Sequence, residues 1–338
     1  MDYFRLYRQL LDQFPSFDIK LNSPLAPYTT LKIGGPADIL IHSKSSEQFT
    51  SLLNFVYQFN YQKNALAKAA DKAPKPETLG QKESGAGNAL TGYFPIHILG
   101  HGSNVLISDS GLRGLTIINC FDSSQLNPTP SGALLQPLIL HLLNQNLLGL
   151  EEFAYIPCTL GGAIYSNIHG FVKNNFSKYL NNIEVFDLAT GQTQLLPAAS
   201  LTWDYDTSYF QSHPTLVILS ATFNLVSGSP ITAQKLYHHI IQLKSASQPT
   251  NSAGCVFKNF PAKANHPPLS AGKLIDQLNL KGTSVGGAQV SPLHANFIVN
   301  TGLATAADYL SLVRLIQSRV KSACRLDLEL EIKLLGEF

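Results

Sequence analysis

Residues Pro95-Ile96-His97-Ile98-Leu99 read as a buried strand that runs without a break into Gly100-His101-Gly102-Ser103-Asn104. Glycine permits positive φ and close approach, so such a loop can turn backbone N–H groups toward an anionic ligand without using side-chain charge. A second glycine-bearing loop follows at Pro157-Cys158-Thr159-Leu160-Gly161-Gly162. Neither contains G-x-G-x-x-G or G-x-x-x-x-G-K-[ST], so the Rossmann fingerprint and the P-loop are both absent. Taken locally, the first segment is equally an ordinary strand-to-strand turn, and the second a helix cap or a turn.

A third segment adds chemistry. Ser252-Ala253-Gly254-Cys255-Val256-Phe257-Lys258-Asn259 places a transferable proton directly after a glycine, with a cation and an amide behind it. Ala271-Gly272-Lys273-Leu274-Ile275-Asp276 and Gly286-Gly287-Ala288-Gln289-Val290-Ser291 follow. By itself Cys255 also reads as a buried structural thiol.

Only 14% of the 338 residues are charged, and the formal net charge is +2. With no basic stripe, binding of nucleic acid by phosphate neutralisation is excluded. Cys120, Cys158, Cys255 and Cys324 are widely spaced without a CxxC unit, as expected of reduced thiols in a cytoplasmic protein. Met1-Asp2-Tyr3-Phe4-Arg5 does not resemble a signal peptide, and no run of 18 apolar residues predicts a membrane span. His101, His169, His238 and His239 have no spacing to carboxylates that suggests a metal site, and none is expected.

Helical spacing predicts a leading helix over residues 3–14 and another from Glu47 to Phe59, with a strand at Ala37–Ile41 between them. From Gln62 to Gly92 the composition turns to Lys, Ala, Pro, Gly, Glu and Asn, which predicts a surface insertion or disordered loop. Leu115–Asn119 reads as a strand, residues 134–148 as a leucine-rich helix ending at Gly149, and residues 183–196 as a β-hairpin. An apolar strand at Thr215–Leu225 and a helix from Pro230 to Leu243 come next, with a domain boundary expected near residues 226–230. Thr305-Ala306-Ala307-Asp308 is a capping signal before an apolar face of Tyr309, Leu312, Val313, Ile316 and Val320. Leu326, Leu328, Leu330, Ile332 and Leu334 alternate with polar residues, predicting a half-buried strand with Glu329 and Glu331 on its opposite face. The class is α+β.

The order of these segments resembles the UDP-N-acetylenolpyruvoylglucosamine reductases, the MurB flavoenzymes of bacterial cell-wall synthesis. The resemblance rests on Thr29-Thr30-Leu31-Lys32-Ile33-Gly34-Gly35-Pro36-Ala37-Asp38, on Leu99–Leu106, on Gly149-Leu150-Glu151-Glu152-Phe153 with Ile156–Ala163, on the Cys255 loop, and on Leu328–Gly336. It covers roughly residues 28–58 and 95–336. It implies a leading helical segment (1–27) and an FAD-binding region of the vanillyl-alcohol-oxidase (PCMH) type in two lobes (28–226, with the insertion at 62–92). A smaller α+β substrate-binding domain (230–338) completes the implied layout.

The resemblance also implies an activity: NADPH-dependent reduction of a UDP-sugar enolpyruvyl ether through non-covalent FAD, in peptidoglycan precursor synthesis. Implied cofactor contacts are Gly100, Gly102, Ser103, Asn104, Val105, Leu106, Pro157, Thr159, Gly161 and Gly162; implied substrate contacts are Tyr205, Lys244, Lys258, Asn259, Gln289 and His294. Cys255 stands where the family usually carries its proton-donating serine, and a thiol is a far stronger acid than an alcohol. Glu331 matches the catalytic glutamate, with Glu329 as its neighbour on the same predicted face. Two departures stand out. Cys158 replaces a usual glycine and is expected to crowd the cofactor slightly. Tyr205-Asp206-Thr207-Ser208 puts Asp206, a carboxylate, where the family has its catalytic arginine, so Lys258 or Lys244 must supply the charge, or Asp206 turns into a local hydrogen bond or is protonated. The spacing from Tyr205 to Cys255 implies the shorter subgroup without an extra substrate-domain loop, and a monomer is expected. Another flavin oxidoreductase of this fold, or a non-catalytic flavin-binding paralogue, are the alternatives.

Overall fold

The computed structural model describes residues 2–71, 94–172, 174–260 and 268–338. Its first lobe is a four-stranded sheet in the order Ile19–Pro24, Pro36–Ser43, Leu112–Asn119, Ile96–Leu99. The first pair is antiparallel and the other two are parallel. Side chains alternate across it, as the period of two demands. Ile39, Ile41, Leu115 and Ile117 face the helices Asp2–Gln13 and Ser46–Asp71 through Leu6, Leu10, Phe49, Leu52 and Val56. Leu40 and Ile118 face the other way, onto Leu25, Ile107 and Leu112.

Two expectations change here. The helix beginning at Ser46 runs on to Asp71, ten residues into the segment whose composition reads as an insertion; Ala and Lys are good helix formers. The rest of that segment, residues 72–92, lies outside the described residues. Ile96–Leu99 is an edge strand in which only Leu99 is fully buried.

The second lobe is an antiparallel sheet in the order Thr129–Pro130, Leu216–Phe223, Leu180–Asp187, Gln192–Pro197. The helix expected over 134–148 spans only Leu135–Asn144, because Asn146 takes φ +57 and turns the chain into Leu147–Leu148, which pairs with Val226–Ser227. Leu135, Leu138, Phe153, Leu160, Phe176, Ile183 and Val185 build the core, and helix Pro230–Ser247 adds Ala233, Tyr237 and Ile240 to it. A cut at 226–230 therefore separates that helix from the core it helps to fill.

The remaining region carries a three-stranded antiparallel sheet (Ser284–Val285, Ala288–Val290, Ile298–Asn300) and the helices Ala271–Gln277 and Ala306–Cys324. The capping box at Thr305 and Asp308 forms on both sides, and Tyr309, Leu312, Val313, Ile316 and Val320 are all buried. Leu31, Ile33 and Leu106 from the first lobe enter this core. The junction is also polar: Thr30 donates its hydroxyl to Ser252 O at 2.7 Å, and the Asp109 carboxylate accepts from Ala306 N and Ala307 N at 2.8 and 3.0 Å.

The single long strand expected over 326–334 is divided between two partners. Leu330 bridges to Phe257, whereas Lys333–Leu335 pairs in parallel with Val105–Ile107. Among the described residues no helix is long and apolar enough to cross a membrane.

Candidate active site

The two glycine loops meet. A side chain on Gly100 would collide with Thr159 Oγ1, and one on Gly102, at φ +65, would run into Tyr28 O. Thr159 caps helix Leu160–Ser166 by accepting from Gly162 N at 3.4 Å, while Gly161 N donates to Ser131 O at 2.7 Å. Cys158 packs into the second-lobe core, where burial pushes its thiol up to about 12, so the crowding expected from it has no side chain to cause it. Asn104 O accepts from Lys333 N at 3.0 Å, and Val105 and Leu106 pair with Lys333 and Leu334, which fixes the far side of the first loop. Ser103 and Asn104 stay half-buried and Pro157 exposed. Glycine lets the two loops pack directly against each other and against Tyr28, and the backbone and small polar groups at their junction are of the kind that suit the diphosphate of a dinucleotide.

The second half of the site is built on the Ser252–Asn259 loop. Gly254 adopts φ +79, the left-handed region that requires glycine, and delivers Cys255 into the cleft. The next peptide is locked by one buried side chain. Asn296 accepts from Phe257 N at 3.0 Å through Oδ1 and donates to Phe257 O at 2.8 Å, imitating a neighbouring strand. On the other side Glu331 N donates to Val256 O at 2.8 Å and Lys258 N to Glu329 O at 2.9 Å, which sets Glu331 beside Cys255.

Burial, then the neighbouring Glu331, pushes the Cys255 thiol up to about 12, so it is protonated at neutral pH. Glu331 itself is raised to about 8, first by burial and then by Asp206, with His169 and Lys258 opposing. Glu329 differs from it entirely: its side chain is 77% exposed and lies 3.6 Å from Lys258 Nζ. The expected shared face fails because the chain there bridges Phe257 and then changes partner, so no regular pleat connects the two glutamates.

Tyr205 and Asp206 form the tip of a two-residue hairpin between Trp203–Asp204 and Thr207–Ser208. Asp206 takes φ +50, which Asp tolerates better than long side chains do. Among the described residues its carboxylate meets no lysine. Oδ1 lies 3.0 Å from His169 Nδ1, a histidine 37 residues away in sequence. The His169 imidazole stacks on Tyr205 with centroids 4.8 Å apart, its Nε2 lying 3.5 Å from Tyr205 Oη. Hydrogen bonding to Asp206 raises the His169 pKa against the effect of burial, and burial lifts the Tyr205 phenol well above its ordinary range.

Lys244 sits over the Phe171 ring, close enough to influence both His169 and Cys255. Asn259 accepts from Ala271 N at 3.0 Å and starts the next helix. His294 accepts from Asn296 N at 3.2 Å and is pushed down by burial, so it buttresses the Cys255 loop as a neutral ring. Gln289 is not brought to this cluster; its amide donates to Gly282 O and Ser284 Oγ within its own hairpin, at 3.2 and 3.0 Å. His169, Asn296 and Thr30 are the site residues that sequence reasoning missed. No periodicity or spacing marks them, and only the positive φ of Asn167, just before His169, betrays an unusual turn. Among the described residues no cluster could hold a metal ion.

Known proteins resemble this chain along most of its length. Residues 246–335 match a family model described as the C-terminal domain of UDP-N-acetylenolpyruvoylglucosamine reductase. The chain is 35% identical to the UDP-N-acetylenolpyruvoylglucosamine reductase of Synechococcus sp. (strain RCC307), over 95% of each sequence. It is 32% identical to the enzyme of that name from Listeria monocytogenes serovar 1/2a, over 97% of this chain and 98% of the relative. The crystal structure of the Thermus caldophilus reductase superposes with a TM-score of 0.69 at 27% identity, covering 95% of this chain and 99% of that one.

Proposed function

Because the chain belongs to the UDP-N-acetylenolpyruvoylglucosamine reductase family, we propose that it uses FAD and NADPH to reduce UDP-N-acetylglucosamine enolpyruvate to UDP-N-acetylmuramate, in the cytoplasm. The observation that carries this reading is the pairing of a protonated Cys255 thiol with Glu331 in one wall, beside the cradle of Gly100, Gly102, Gly161 and Thr159. Bound in that cradle, FAD supplies hydride transfer from NADPH to the enol ether. The net change adds one hydride and one proton across the carbon–carbon double bond and releases NADP+.

The protein's own groups account for the proton. Cys255 holds it at neutral pH and, after Gly254, stands free to deliver it to the substrate carbon next to the carboxylate. Burial keeps the thiolate from persisting, and solvent then returns the proton to sulfur. Glu331 near pKa 8 is neutral for much of its time and can donate a hydrogen bond to an enolic oxygen without adding charge. Lys258 and Lys244 suit the diphosphate, and Tyr205 and Asn259 the remaining polar contacts. Asn296 and His294 hold the donor loop rigid.

The direct test is anaerobic. Purified holoprotein should bleach on NADPH and recover its flavin absorbance when the enolpyruvyl nucleotide is added. A protein that takes up no FAD, or that is bleached and stays so with the nucleotide, would overturn the assignment.

A further inference from the structure

Resting on the function proposed above, the site presents an electrostatic difficulty. The substrate brings a carboxylate as well as a diphosphate into a wall that already carries Asp206 and Glu331. Asp206 is deeply set, with a side chain 14% exposed and an Oδ2 atom that has no partner among the described residues, whereas its partner His169 is 34% exposed. The imidazole is thus the more exposed member of the pair.

We propose that His169 supplies the positive charge against which the carboxylate of the enolpyruvyl group binds, with Asp206 as the positioning residue that keeps the ring charged and aimed. The scaffold fixes this geometry from both sides. Asn167, at φ +44, ends helix Leu160–Ser166 and donates to Asp204 O at 2.7 Å, while its Oδ1 accepts from Ser177 N at 3.1 Å. That ties the His169 turn to the hairpin whose tip is Asp206. The hairpin is held in turn by Gln211, which donates to Asp206 O at 3.1 Å and accepts from Lys333 Nζ at 3.3 Å.

With Nδ1 committed to Asp206, the donor left to His169 is Nε2–H. Its contact with Tyr205 Oη is long, at 3.5 Å, so an anion can take it. Among the described residues, the charged and titratable groups that face the ring are Asp206 and Tyr205 on the hairpin, Glu331 beyond the Ala306–Cys324 helix, and Lys244 on helix Pro230–Ser247. Asp206 and Glu331 favour the imidazolium, and Lys244 opposes it.

The test measures binding to the oxidised FAD-loaded protein by the change in its visible spectrum, from pH 6 to 9. His169→Gln should weaken the enolpyruvyl nucleotide about 10- to 100-fold at pH 6–7, the range spanned by one charge-assisted hydrogen bond. UDP-N-acetylglucosamine, which lacks the carboxylate, should bind both proteins alike. His169→Lys should restore much of the affinity and remove the weakening that the parent shows as His169 loses its proton. Asp206→Asn, which keeps the turn, should move that weakening to lower pH, because the raising effect of the carboxylate is gone. Equal affinity of parent and His169→Gln for the enolpyruvyl nucleotide, or equal losses for both nucleotides, overturns the proposal. These outcomes are separable from failure of the function itself, in which the parent would not reoxidise with the enolpyruvyl nucleotide at all.

Discussion

Replacing Glu331 with glutamine should make the protein more stable and less active, and the stability gain should depend on pH. In the folded protein the carboxyl titrates near 8 instead of the ordinary 4.5. From 4.5 to about 8 is about 3.5 pH units, and at ~1.36 kcal/mol per unit the ionised form is disfavoured by at most about 5 kcal/mol. Glu331 is only partly buried, so solvent screening reduces this to about 2–3 kcal/mol. The raised pKa means that the folded state binds the proton more tightly than the unfolded one. Stability from this group is therefore complete below about pH 4.5 and is lost as the pH rises to about 8. Glutamine mimics the neutral carboxyl at every pH and escapes that loss. For a chain of 338 residues, about 2–3 kcal/mol corresponds to a melting temperature higher by roughly 3–4 °C at pH 9, shrinking to under ~1 °C at pH 5. Differential scanning fluorimetry of parent, Glu331→Gln and Glu329→Gln across that pH range reads it directly. Glu329, exposed beside Lys258, should leave the melting curve unchanged. A difference between parent and Glu331→Gln that is the same at pH 5 and pH 9 would refute the reasoning. In stopped flow, Glu331→Gln should slow reoxidation of the flavin by substrate far more than Glu329→Gln does.

Cys255→Ser should keep appreciable turnover, while Cys255→Ala loses roughly 10²–10⁴-fold, the worth of a positioned acid; flavin reduction by NADPH, followed separately at 450 nm, should survive in both. Asn296→Leu strands the buried N–H and C=O of Phe257, at about 1–3 kcal/mol each, so the melting temperature and kcat should fall together while FAD stays bound. Gly102→Ala forces a Cβ at φ +65 against Tyr28 O and should release FAD on dialysis, seen as loss of visible absorbance.

Local chemistry was the legible part. The capping box at Thr305–Asp308, the hairpin around Gly191 and the apolar face from Tyr309 to Val320 are short-range devices, each declared by residues a few positions apart. Cys255 and Glu331 are singled out by likeness to a family, and the structure sets their backbones side by side through Val256 and Phe257. The Leu326–Leu334 alternation misled because a pattern of two says which residues are buried, not which strand pairs with them, and here the pairing changes midway. The ion pair of Asp206 was invisible for a stronger reason. Its cation is a lone histidine 37 residues upstream, brought near by the turn at Asn167 and by a hairpin whose tip could have pointed elsewhere.

The parallel pairing of Val105–Ile107 with Lys333–Leu335 has a consequence for how the molecule is made. The strand that follows the first glycine loop finds its ladder partner 228 positions later, from Val105 to Lys333, and among the described residues it has no other. At ~5–20 residues per second a ribosome needs about 10–45 s to cover that distance. Throughout that interval the nascent chain carries an open β-edge next to its first glycine loop. The lobe synthesised first is thus the one completed last, and a contact of such long range also slows spontaneous refolding.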